Sequence, residues 1–180
     1  MRVDRFVDYG PGMNFYDKRP PLTADERVQL VGWLDLQRAL VRRKLEGLAE
    51  ADEHRAVFPT SPLMTPAGLV SHLRWTEHCW FNVIFLGEPE TTNPQFQKEP
   101  KSADWRVDGV PLARLLDEYK AQWAQSNEIT AAHALDDVSK DAEFQPSLRW
   151  ILIHMVEETA RHLGQLDTMR ESLDGQTGYY

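Results

Sequence analysis

The chain has 180 residues, 28 of them Asp or Glu and 20 Lys or Arg, for a formal charge of −8, and this length suits one domain with a substantial core. The acidic balance supplies no basic stripe for phosphates, which argues against nucleic acid and anionic membrane surfaces as partners. A single cysteine, Cys79, leaves no internal disulfide to form, and without a run of about 18 apolar residues or a cleavable leader the sequence predicts a soluble, cytoplasmic protein.

All eleven prolines fall outside four stretches, 22–58, 67–88, 112–145 and 147–180. Each stretch has amphipathic spacing and none has sustained period-two alternation, so the four read as helices. Residues 1–22, with Pro11, Pro20, Pro21 and two glycines, read as an extended arm, packed through Phe6, Phe15 and Tyr16 or partly disordered. Residues 23–180 then form the helical body. The first helix is expected from an N-cap at Thr23, with Glu26 completing a capping box, to about Glu50. Its apolar phase is Val31, Leu34, Val41, Leu45 and Leu48. The second runs from Thr65, with Pro66 in the first helical position, to Gly87. The connection from Glu88 to Gly109 is longer than a hairpin loop and is expected to cross the bundle or cover a site. The third helix spans about Pro111 to Ala134, and the fourth runs from a Ser147 cap to Asp174-Gly175. The predicted fold class is all-α, a four-helix bundle with an extended N-terminal arm and a long connection between helices 2 and 3.

A helix turns about 100° per residue, which places each polar residue relative to its apolar stripe. On the fourth helix His162 falls within the stripe of Leu148, Leu152, Met155, Leu166, Met169 and Leu173, and Glu158, one turn earlier, lies on its margin. His154, a further turn back, belongs to the rim. On the second helix the stripe is Leu69, Leu73, Thr76, Trp80 and Val83, with His72 at its inward edge and His78 almost opposite. Trp75 and Phe85 fall off that stripe, and their predicted exposure would suit a homodimer. His72, Glu158 and His162 on facing helices can hold a divalent ion and leave a coordination position open, as catalytic zinc sites do. The same spacing fits a metal-free arrangement, with Glu158 bonded to His162 or paired with Arg161 and His72 a satisfied core histidine. Arg38 falls on the inward phase of the first helix, either as an ion-paired or snorkelling side chain or as an anchor for a substrate carboxylate. His54 and His133 are expected to face solvent, and Cys79 to be a packing residue.

The runs Leu69-Val70-Ser71-His72-Leu73 with Glu77 and Trp80-Phe81, and Ser147-Leu148-Arg149-Trp150 followed by His154-Met155, Glu157 to Gln165 and Asp174-Gly175, resemble the DinB-like four-helix metalloprotein superfamily, most closely its actinobacterial subgroup. The likeness reaches the first helix through Leu34-Asp35, Arg38 and Gly47-Leu48, and so covers about residues 23–178. In that superfamily a histidine of the second helix and two residues one turn apart on the last helix hold the metal, positions filled here by His72, Glu158 and His162. Many members carry a third histidine where this chain has Glu158; the related mycothiol-dependent maleylpyruvate isomerase is similar in carrying a glutamate there. The resemblance implies a metal-dependent transferase or isomerase that activates a low-molecular-weight thiol, such as mycothiol or bacillithiol, toward an electrophilic substrate. Zinc is the first choice of metal, with nickel or iron as alternatives. In that scheme His154 or Gln165 orients a ligand or water and Arg38 steadies an acidic group. Two other readings stand beside it: a non-catalytic metal-binding stress-response protein, and a metal-free dimerisation or ligand-binding module.

Overall fold

The computed structural model describes residues 19–96 and 100–178, so Phe6, Phe15 and Tyr16 of the expected arm lie outside the described residues. The fold is all-α, built on four helices: α1 (Glu26–Leu45), α2 (Pro66–His78), α3 (Leu112–Ala132) and α4 (Leu148–Asp174). Among the described residues no strand forms, and Val138 and Ser147 make an isolated antiparallel bridge. α1 packs along α4 and α2 along α3.

Local chemistry explains most helix ends. The N-cap of α1 is Asp25 rather than Thr23: the Asp25 carboxylate accepts the Val28 amide at 3.0 Å. Thr23 instead lies in the preceding turn, which the Ala24 amide closes onto the Pro21 carbonyl. α1 also ends at Leu45, short of Glu50, because Gly47 takes a left-handed conformation at φ +73° and turns the chain out of the helix. Thr65 caps α2 by accepting the Gly68 amide. Ser147 caps α4 by accepting the Trp150 amide, and Gly175 at φ +74° closes its far end.

Beyond His78 the second helix continues as a π-helical segment, Cys79–Phe85. Wider i→i+5 winding uses more residues per turn than an α-helix, so the 100° phase that fits Leu69, Leu73 and Thr76 no longer applies. Phe81, Asn82 and Phe85 turn inward instead. Phe85, expected on the surface, is 2% exposed and meets the edge of His133 with ring centroids 5.0 Å apart. The homodimer face suggested for Trp75 and Phe85 therefore loses one of its two anchors. Trp75 itself is half-buried, with the Arg74 guanidinium 3.9 Å from its ring centroid.

Two apolar clusters fill the interior. One gathers Leu36, Leu40, Leu69, Leu73, Leu115, Leu163 and Leu166 from all four helices; the other gathers Leu34, Phe81, Phe85, Ile129, Ile151 and Met155. Among the described residues, no helix is long and apolar enough to cross a membrane.

Candidate metal centre

His72 stands on the second turn of α2, on the face between Leu69 and Leu73, which are both fully buried. Glu158 and His162 stand one turn apart on α4, in phase with buried Met155 and Leu166. Helix packing therefore brings the three side chains together: one ligand atom from each lies within 4.8 Å of the others. Glu158 Oε1 is 3.1 Å from His162 Nε2 and 3.4 Å from His72 Nε2. Side-chain exposures of 16% for His72, 14% for Glu158 and 9% for His162 leave the group partly open to solvent. Arg161 pairs with Glu157, not Glu158.

The far nitrogen of each imidazole is also engaged. His72 Nδ1–H donates to Asp104 Oδ2 at 2.6 Å, and His162 Nδ1–H donates to Gln165 Oε1 at 2.7 Å. Both rings are thereby held with Nε2 toward Glu158, as in sites where an outer partner fixes the tautomer of a metal-binding histidine. Gln95 braces this support, its amide donating to Thr76 Oγ1 at 2.8 Å and to Asp104 Oδ2 at 3.3 Å. Trp105 stacks on His72 with centroids 4.3 Å apart and planes at 19°.

The charge balance follows from these contacts. Burial would lower the His72 pKa, but the hydrogen bonds to Asp104 and Glu158 outweigh it and raise it above the ordinary 6.5. Hydrogen bonds from His162 and then His72 hold the Glu158 carboxyl well below the usual carboxylate range, against the effect of burial. Burial would likewise raise Asp104, yet the bond from His72 keeps it low. Both carboxylates are thus ionised at neutral pH.

No sequence pattern marks Asp104, Trp105 or Gln95 as site residues. All three lie in the connection between helices 2 and 3, where no period marks an inward position; its length was the available signal. The described parts of that connection do cover the site.

The other expected site residues lie elsewhere. Arg38 is 1% exposed; its Nε and Nη2 donate to both carboxylate oxygens of Glu77, and its Nη1 to Asp35 and Asn127. With the fork and its outer nitrogen taken up by α1, α2 and α3 themselves, the carboxylate-anchor role does not fit, and the ion-paired alternative is the one present. His154 packs against Trp80 and Trp150, at centroid distances of 4.6 and 5.2 Å, with Nδ1 3.7 Å from Glu157. Gln165 faces His162 instead of an incoming ligand. His54 and His133, expected in solvent, are half-buried and bonded to the carbonyls of Val110 and Ile129. Burial, reinforced by the Glu90 carboxylate, pushes the Cys79 thiol up to about 11, so at neutral pH it is a packing group rather than a nucleophile.

A helical bundle with two histidines and a carboxylate converging from facing helices defines the class: a four-helix protein of DinB-like type with a candidate three-ligand centre. A sequence model of the mycothiol S-transferase family matches residues 29–175, and the chain belongs to that family. No curated protein and no solved structure matches the chain.

Proposed function

We propose that the protein is a divalent-metal-dependent transferase that joins a low-molecular-weight thiol of the mycothiol type to an electrophile, with His72, Glu158 and His162 as the metal ligands. The observation that carries the reading is the convergence of His72 Nε2, His162 Nε2 and Glu158 Oε1 while both Nδ1 atoms are occupied. The residues fit such an ion. Bonds of about 2.0–2.1 Å at a tetrahedral angle put neighbouring ligand atoms about 3.3–3.4 Å apart; the two nitrogen-to-Oε1 separations here are 3.1 and 3.4 Å, and the whole group spans up to 4.8 Å, so the two imidazoles would draw closer together around an ion. Among the described residues the candidate ligand group holds these three and no cysteine, which is the composition of an open site. Zinc is the preferred occupant, with nickel or iron as alternatives.

A divalent ion there supplies Lewis acidity that favours a bound thiol as thiolate near neutral pH. The chain's own residues prepare the place. Asp104 and Gln165 lock the imidazoles, Trp105 shields His72, and the partial exposure of the group admits a ligand. In the reaction the thiol sulfur forms a bond to the electrophilic carbon, the leaving group departs with its bonding electron pair, and the thiol proton passes to solvent. Cys79 takes no part, since burial keeps it protonated; the reacting thiol comes from outside the chain.

Metal analysis of untagged protein should show about one divalent ion per chain, or uptake of one on reconstitution, and His162→Ala should abolish it. The loaded protein should then accelerate reaction of mycothiol or bacillithiol with an aryl chloride electrophile, releasing chloride. Metal binding without a rate above background with any thiol would replace this reading with non-catalytic metal binding, and failure to bind metal would leave a metal-free bundle.

A further inference from the structure

Beside the candidate centre lies an open cleft, a shallow cavity of about 500 Å³ between the 61–64 segment and the turn that carries Ser102, Trp105 and Arg106, within the roughly 300–1,000 Å³ typical of small-molecule pockets. We infer that this cavity is the binding site for a compact apolar molecule bearing an acidic group, and that this molecule is the electrophilic partner of the thiol. The second half of the inference rests on the transferase reading; the first does not.

Position is the first support. Trp105 belongs to both places: it lines the cavity, while its ring stacks on His72 and lies 5.7 Å from that of His162. A molecule seated against Trp105 is therefore one ring away from the group proposed to activate the thiol. Lining chemistry is the second. Pro62, Leu63, Met64 and Trp105 make most of the lining apolar, which suits an aromatic or branched apolar body better than a sugar-like thiol, for whose many hydroxyls only Ser61, Ser102 and Arg106 offer side-chain partners. Charge is the third. Arg106 is exposed at the cavity with its Nε donating to the Lys101 carbonyl at 3.2 Å. Among the described residues no carboxylate pairs with it, so its terminal nitrogens can receive a carboxylate in the two-point geometry that arginine favours.

The cavity is also fixed by the fold. A Cβ at Gly68 would lie 2.6 Å from the Leu63 carbonyl oxygen and 3.0 Å from that of Trp105. Only a glycine at this position of α2 lets the two walls close against the same helical turn.

The test uses the full chain loaded with zinc and two non-reactive probes of one shape, naphthalene-2-carboxylate and its neutral carboxamide, titrated by calorimetry. The carboxylate should bind with one-to-one stoichiometry and more tightly than the carboxamide. Arg106→Gln should weaken the carboxylate about tenfold while changing the carboxamide less than about twofold. Met64→Trp, which fills the cavity, should weaken both by about tenfold or more. Zinc content and helical circular dichroism should be unchanged in both variants, as neither residue is a candidate ligand or hydrogen-bonds to one. No carboxylate binding at millimolar concentration, or equal affinities in the parent and both variants, would overturn the site. In turnover, Met64→Trp should raise KM for an acidic apolar electrophile and leave KM for the thiol unchanged. Transfer with both KM values unaltered would defeat the inference and leave the transferase reading intact. Probe binding that responds to both variants in a protein without transfer would defeat the transferase reading and leave the apolar-anion site standing.

Discussion

In the neutral His72 ring, with Asp104 accepting the Nδ1 proton, only Nε2 carries an available lone pair; in the protonated ring of the metal-free protein that same atom donates to Glu158. Asp104 is 5% exposed and makes its 2.6 Å bond from outside the bundle helices, so it governs the ring without being a ligand. Asp104→Ala should preserve the helical fold and weaken zinc binding by about 10–100-fold, the cost usual for losing an outer partner of a metal-binding histidine. Competition with a chromophoric chelator measures it, and unchanged affinity would remove Asp104 from the site. The same contacts set a pH dependence. His72 is raised above 6.5, so in metal-free protein its contribution is fully present below that value and is lost as pH rises through the raised pKa. Glu158 is depressed below 4.5, so its contribution is present above 4.5 and is lost as pH falls through the depressed value. The metal-free cluster is therefore best satisfied on the mildly acidic side. An ion needs neutral imidazoles and competes with those protons. The rise in Tm on adding zinc should thus be larger at about pH 8 than at about pH 5.5, and a pH-independent rise would argue against histidine ligation.

At the scale of elements, the site depends on how closely the connection between α2 and α3 can approach α2. Gly68→Ala places a methyl group against two backbone carbonyls, of Leu63 and Trp105, neither of which is the flexible end of a side chain. The variant should lose about 1–3 kcal/mol in urea unfolding, the usual cost of overpacking. It should also bind zinc more weakly than the parent, because Asp104 and Trp105 move together on one short 3-10 turn, Ala103–Trp105. A loss of stability with unchanged zinc affinity would separate this turn from the site. How much could be read from sequence follows the same division. Thr65, Ser147 and Gly175 act within one turn of their own helix, and so they were legible; Asp25 and Thr23 are both good caps two residues apart, and only the Val28 hydrogen bond distinguishes them. His72, Glu158 and His162 were legible because each keeps phase with a regular α-helical stripe. Phe85 was not, because the π-helical segment changes the phase without a local signal. Nor were Asp104 and Trp105, since an aperiodic segment acquires its inward positions only from the surface on which it lies.

At the scale of the molecule, the family match over residues 29–175 takes in nearly all of α1 and continues to the cap of α4, so the candidate ligands belong to a complete bundle. That bundle does not need them for its core. Leu36, Leu40, Leu69, Leu73, Leu115 and Leu166 on one side and Leu34, Phe81, Ile151 and Met155 on the other are buried against one another, and the buried Arg38–Glu77 pair ties α1 to α2 independently of the site. Removing the metal should therefore loosen the protein without unfolding it, unlike a small zinc domain whose folding energy is metal binding. An ion that binds only the folded state adds about 2.7 kcal/mol when free metal is 100 times Kd. For a chain of this size that corresponds to about 5–10 °C in Tm. Chelation should lower Tm by about that amount while the far-ultraviolet circular dichroism at room temperature stays that of the loaded protein, and restoring zinc should recover the difference. A chelated protein that loses its helical signal would show that α2 and α4 are held together through the ion rather than through the leucine core.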